Sequence, residues 1–280
     1  MSSCLYIILY LKIYRRMFFF NRFYFGFLFL FFIQTFCQSN RFIYEYKHIE
    51  DTLKKDTLKD LMYLDIDDKK SIFYDYFAYK GDSLLSITNE KSAIFKDKVL
   101  KKYYQSVKVS LFTKVYDDIY EVEDNRIFYW NITNDNKNIG DISVQKATTS
   151  FAGRNWIAWF TNEIPIPDGP YKFNGLPGLI IKLEDEKKTH SFELVKIEKI
   201  NNFINDIIPK NSTVVSQERY KKLLNEYKKN PMKNWIQKGV KVSEDSDNIS
   251  DKDFLRKIEI LKKRQISKQN NIIEIYLLKK

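Results

Sequence analysis

The sequence predicts a mainly β protein of the α+β kind: an antiparallel sheet, as a sandwich or an open barrel-like core, followed by one or two C-terminal helices. Three observations lead there. Short segments rich in aromatic and β-branched residues recur from residue 41 to residue 200, with polar clusters between them. The apolar period then lengthens to helical spacing at Tyr220, Leu223, Leu224 and Tyr227. Between these regions glycine and proline, scarce elsewhere, crowd together. Pro165, Pro167, Pro170 and Pro177 are four of six prolines, and Gly153, Gly169, Gly175 and Gly178 are half of the eight glycines.

Taken in order, Arg41–Tyr46 reads as the first strand, and Leu61–Ile66 and Ser71–Phe77 as a hairpin around Asp67–Lys70. Lys91–Gln105 reads as a helix or a broken strand. Val109–Val122 and Arg126–Thr133 read as a second pair around Glu123–Asn125. Strands follow at Asp141–Phe151, Arg154–Asn162, Leu179–Glu184 and His190–Ile200. Arg154–Asn162 carries Trp156, Ala158 and Phe160 on one face and Ile157 and Trp159 on the other, the pattern of a strand covered on both sides. A helix is expected from Ser216, its N-cap, to a stop at Asn230-Pro231, and a second from Ser250, with Asp253 at capping-box spacing. Ile272–Leu278 has the composition of a final strand.

The leader differs from all of this. Lys12, Arg15, Arg16 and Arg22 are its only charges, and the apolar run Phe23–Phe36 that follows is shorter than the roughly 20 residues a membrane span needs. Residues 1–37 are therefore expected to be a signal peptide cleaved near Cys37/Gln38, with Met17 an alternative start. An uncleaved anchor or a lipid-modified Cys37 are the competing readings. Residues 38–280 are expected to form a single β-rich domain, helical from about 213, that carries no transmembrane helix after cleavage.

Composition excludes several chemistries. The net charge of +11 loses four units with the leader, a mild surplus for so long a chain and a poor basis for nucleic-acid binding. Cys4 and Cys37 are the only cysteines, so the exported chain has no disulfide, thiolate or cysteine nucleophile. Its two histidines, His48 and His190, are far apart and receive no role, and no metal or cofactor is expected.

The Gly/Pro stretch dictates a particular backbone path, because proline fixes φ and glycine permits positive φ. Asp168-Gly169-Pro170 signals a turn, and Pro177-Gly178 suits the centre of a type II turn with positive φ at Gly178. Residues 163–178 are thus expected to form an ordered loop between buried strands. Lys146–Thr149, Gly153-Arg154, Ala158–Thr161, Ile164–Ile166, Asp168–Pro170 and the hexapeptide Gly175-Leu-Pro-Gly-Leu-Ile180 occur in order. In these motifs the chain resembles the GLPGLI family of exported bacterial proteins, most densely over residues 140–185. The resemblance implies the envelope or periplasm of a diderm bacterium and supplies no activity.

Arg154, Trp156, Trp159, Asp168, Tyr171 and Phe173 are the candidate binding residues, for an apolar, peptide or envelope-protein ligand. For Arg154, stacking on an aromatic or pairing with Glu163 is the commoner alternative. The aromatics are equally at home in a core, and Asp168 in stabilising its own turn. The second functional class is a hydrolase using the carboxylates Glu163, Asp168 and Glu184.

Overall fold

The computed structural model describes residues 39–54, 56–77, 79–80, 96–104, 106–201, 203, 207–237 and 251–279. The leader, residues 91–95 and the Ser250 end of the capping pattern lie outside the described residues.

Twelve strands form one mixed, open sheet. β1 (Ser39–Ile49) stands in its middle. On one side β2 (Thr57–Ile66), β3 (Lys70–Asp75), β4 (Lys98–Tyr104), β5 (Ser106–Val115) and β6 (Asp118–Asp124) meander away from it. On the other side β11 (His190–Ile200) pairs with β1, followed outward by β10 (Leu179–Asp185), β9 (Arg154–Thr161), β8 (Ile142–Phe151) and β7 (Asn131–Ile139). These neighbours are antiparallel, while β12 (Thr213–Ser216) adds parallel to β6. The outer strand β7, Asn-Ile-Thr-Asn-Asp-Asn-Lys-Asn-Ile, is largely exposed and polar, a composition that discourages pairing at an open edge.

Strand register aligns the apolar residues in rows. Phe42, Leu64, Phe73, Val99, Leu111 and Val122 are successive cross-strand partners, and all are buried. A second row runs the other way through Tyr46, Phe192, Leu183, Ala158 and Ala147. Side chains alternate between faces with period two, so each row lies on one face, and cross-strand contact along it is what stabilises such a sheet. Both rows belong to the same hydrophobic core.

The helices follow the sheet. α1 (Gln217–Lys229) is capped by Ser216, whose Oγ accepts from Arg219 N at 3.3 Å, and it ends at Asn230. Its buried residues are Tyr220 and Leu223. A short α2 (Lys233–Gln237) and the long α3 (Asp251–Lys268) come next. No helix among the described residues is long and apolar enough to cross a membrane.

Three expectations are corrected, and one open alternative is decided. Val109–Val122 is itself the hairpin β5–β6, turning at Tyr116, which adopts φ 57° without any glycine to announce it. Glu123–Asn125 does not join two strands. Asp124 instead caps Arg126 N and begins an irregular segment that ends at β7. Of the two readings of Lys91–Gln105, the described residues bear out the strand, as β4 at Lys98–Tyr104. Ile272–Leu278 is not a strand: it runs as an irregular tail into a 3-10 turn at Ile275–Leu278, its carbonyls at Ile272 and Ile273 taken by Arg154 rather than by a ladder.

Candidate functional site

The Gly/Pro loop joins β9 to β10 and bends back on itself. Asp168 N donates to Ile166 O at 2.7 Å, Gly175 N to Pro167 O at 3.0 Å, and Ile180 N to Asp168 O at 3.0 Å. Positive φ falls at Gly175 (89°) and not at Gly178. Gly178 is required for a different reason: a Cβ there would stand 1.9 Å from Thr161 O.

The loop also carries charge into the interior. Asp168 is buried and pairs with Lys101 of β4, whose Nζ donates to Gly169 O at 2.7 Å as well. Burial pushes the Lys101 pKa down, and the Asp168 carboxylate opposes that shift. Lys172 is likewise buried. It donates to Asp124 at 2.9 Å and pairs with Glu274 of the C-terminal tail, which also accepts from Arg126 at 2.7 Å and from the Tyr171 hydroxyl at 2.7 Å. Burial raises the Asp124 pKa, but hydrogen bonding to Arg126 and the Lys172 charge outweigh it and hold the carboxyl at about 2. The β9–β10 loop thereby touches β4 and β6, distant in strand order, so the sheet curls around it.

The six candidate residues separate. Arg154 is buried and donates to Asp185 at 3.1 Å, Thr189 at 3.3 Å, Ile272 O at 2.8 Å and Ile273 O at 3.1 Å, and also to Asn271. Its carboxylate partner is Asp185 rather than Glu163, which is exposed. Trp156 and Phe173 are fully buried in the core, and Trp156 donates to Phe151 O. Trp159 is half-buried, with Lys137 Nζ 3.8 Å from its ring centre, while its neighbour Ile157 is half-buried too. Asp168 is engaged as described. Of the six, Tyr171 lines the cavity described next, and the other five do not line it. The carboxylates Glu163, Asp168 and Glu184 occupy different settings: solvent, a buried ion pair, and a half-buried site 3.8 Å from Lys182.

That cavity encloses about 410 Å³ between the curled sheet, α1 and the C-terminal tail. Its apolar wall comes from Leu111 of β5, Leu224 of α1, Ile266 of α3 and Ile272, Ile273 and Leu277 of the tail. Its polar wall includes Tyr46, His48, Glu50, Asp97 and His190. His48 and His190 are cross-strand partners in β1 and β11, with ring centres 6.5 Å apart, and the Tyr46 ring stacks 4.5 Å from that of His48. Tyr46 Oη lies 2.6 Å from His190 Nδ1. Burial raises the Tyr46 pKa well above its ordinary value, so the phenol keeps its proton and donates it to Nδ1. The remaining proton of neutral His190 then sits on Nε2. Burial, reinforced by the Arg154 charge, lowers the His190 pKa to about 3. His48 Nδ1, 3.7 Å from Asp60 Oδ2, and His190 Nε2, approached by the Asn271 backbone, are buried without a hydrogen-bond partner of good geometry. Buried polar groups normally find partners, so two such atoms in one cavity mark it out.

Sequence reasoning assigned the histidines nothing. The signal was the period-two alternation Phe42, Tyr44, Tyr46, His48, Glu50, which sets His48 on the apolar face, together with the same placement of His190 beside Phe192. Register, which sequence does not disclose, is what makes them neighbours.

With this geometry described, likenesses to known proteins fall into place. The profile of a family described as a protein of unknown function, Porph_ging, matches residues 152–182. That stretch is β9, the Gly/Pro loop and the start of β10, and it contains the hexapeptide. No curated protein matches the chain. PNGF-II in one crystal form shares the fold at 18% identity and a TM-score of 0.50 over 66% of this chain, and in a second form it aligns at 18% identity and a TM-score of 0.49 over 66%. This chain spans about a third of theirs, 33% and 32%. A putative outer membrane lipoprotein-sorting protein domain from Vibrio parahaemolyticus aligns over 61% of this chain and 88% of its own, at 6% identity and a TM-score of 0.30.

Proposed function

We propose that this chain is an exported, non-enzymatic binding protein of the GLPGLI type that holds a small amphiphilic ligand between its curled sheet and its C-terminal tail. The observation that carries this reading is the 410 Å³ cavity, within the usual range of small-ligand pockets, with a mixed lining and buried histidine nitrogens that lack partners. The ligand supplies what those nitrogens lack, and the isoleucine and leucine wall receives its apolar body. Hydrolysis by the loop carboxylates has less support, because Asp168 is neutralised by Lys101 in the interior while Glu163 faces solvent. Export rests on the leader, and the mature chain then starts near Gln38, one residue before the central strand β1.

Native mass spectrometry of protein recovered from its own host's exported fraction tests this reading. A small molecule should accompany the wild-type protein and be lost from Leu224→Trp, which fills the cavity. N-terminal sequencing of the same material should begin at or near Gln38. A cavity-filled variant that retains the adduct would refute the site, and an intact leader would refute cleavage.

A further inference from the structure

We infer that the cavity selects a ligand carrying an organic ammonium group, anchored at Asp97; this rests on the ligand-binding reading above. Asp97 precedes β4 and lines the cavity, with its side chain exposed there. Three nearby carboxylates are matched by cations. Glu274 is neutralised by Lys172 and Arg126, Asp185 by Arg154, and Asp168 by Lys101. Lys228, the lining lysine, donates to Leu277 O at 3.4 Å instead of pairing with an acid. Asp97 forms no ion pair with a described residue, and the Thr113 hydroxyl is its hydrogen-bond partner. Burial pushes its pKa up and the Glu274 charge adds to the rise, while the Thr113 hydrogen bond and the charges of Lys172 and Lys98 oppose it.

The surroundings of Asp97 suit a cation more than they suit water alone. Tyr171 and Tyr220 line the same cavity, and the Asp97 charge raises the pKa of both phenols, which places the rings within its electrostatic reach. An acid and tyrosine rings on one cavity wall are the combination that receives an alkylammonium group: the carboxylate supplies charge, and the ring quadrupoles supply further attraction. His190 is kept neutral and so offers no competing positive charge. An anionic head group would meet Asp97 and Glu50 within the same walls.

Isothermal titration of the intact protein with octyltrimethylammonium, octanol and octanoate reads this directly, because the three share one chain and differ in head-group charge. The cation should bind about tenfold or more tightly than octanol, and octanoate more weakly than either. Asp97→Asn should bring the cation down to the affinity of octanol and leave octanol unchanged. Octanol or octanoate binding the wild-type protein as tightly as the cation would overturn the ammonium assignment while leaving the cavity a binding site. That comparison needs no variant, so it holds even where Asp97→Asn fails to fold. Failure of all three probes to bind would overturn the cavity-binding reading and this inference together.

Discussion

The Gly/Pro loop and the cavity wall meet at Tyr171 and are built on opposite terms. In the loop, polar groups are spent on the protein itself: Asp168 on Lys101, Lys172 on Asp124 and Glu274, Asn174 on the Lys172 carbonyl. In the cavity wall, His48 Nδ1 and His190 Nε2 are left over, and Asp97 has no cation in salt-bridge range among the described residues. The more conspicuous segment of the sequence is architecture. The inconspicuous one holds the chemistry that is still unspent.

Four measurements sharpen or break that contrast. The largest effect should come from Asp168→Asn, which leaves Lys101 charged and buried. Removing one partner of a buried pair costs about 3–5 kcal/mol, and the double variant Asp168→Leu/Lys101→Met should recover most of it. Urea midpoints of the single and double variants check this, and a single variant of wild-type stability would mean that the pair is not buried. Gly178→Val should cost on the order of 3 kcal/mol, because the new Cβ drives into the Thr161 carbonyl and backbone must move. A substitution to Ala should be nearly as harmful, which separates a clash at Cβ from a bulk effect.

The third test concerns pH. In the unfolded chain a histidine takes up a proton near pH 6.5, whereas folded His190 stays neutral down to about 3. Burial causes most of this, with Arg154 and His48 adding to it and Asp185 opposing. The folded pKa lies below the unfolded one, so stability is full above pH 6.5 and is lost as pH falls through that window. The slope approaches about 1.4 kcal/mol per pH unit. Between pH 6.5 and pH 5.5, above the range of ordinary carboxylates, His190→Gln should remove its own share of the slope and leave that of His48, whose pKa burial also lowers. An unchanged slope would mean that His190 is exposed. The smallest effect belongs to Glu163→Gln, an exposed loop acid, which should stay within about 0.5 kcal/mol of wild type. A large loss there would break the division of the loop into buried and solvent-facing charges.

Much of the fold was legible because it rests on local pattern. Asp67–Lys70 turned where its residues said it would, with Asp67 Oδ1 accepting from Lys69 N and Lys70 N at 2.8 Å. Ser216 capped α1, and Asn230 ended it. What escaped had no local signal. Tyr116 makes a hairpin turn in a conformation that non-glycine residues seldom adopt. The four residues of β12 are too few to show a period. Lys101, Lys172, Asp124 and Glu274 look like ordinary surface charges in the sequence, and only register and the curl of the sheet bury them. The need for Gly178 was legible, but its cause was not, since a close approach to Thr161 depends on where β9 ends.

The C-terminal tail also dictates an order of events. Arg154 finds Asn271, Ile272 and Ile273 more than a hundred positions later in the chain, and Lys172 finds Glu274 at a separation of 102. A nascent polypeptide that has already made every described strand therefore still holds Arg126, Arg154 and Lys172 each short of a tail partner, and a cavity with one side missing. The cavity wall that the tail supplies is thus completed only after the strands it closes on have been made.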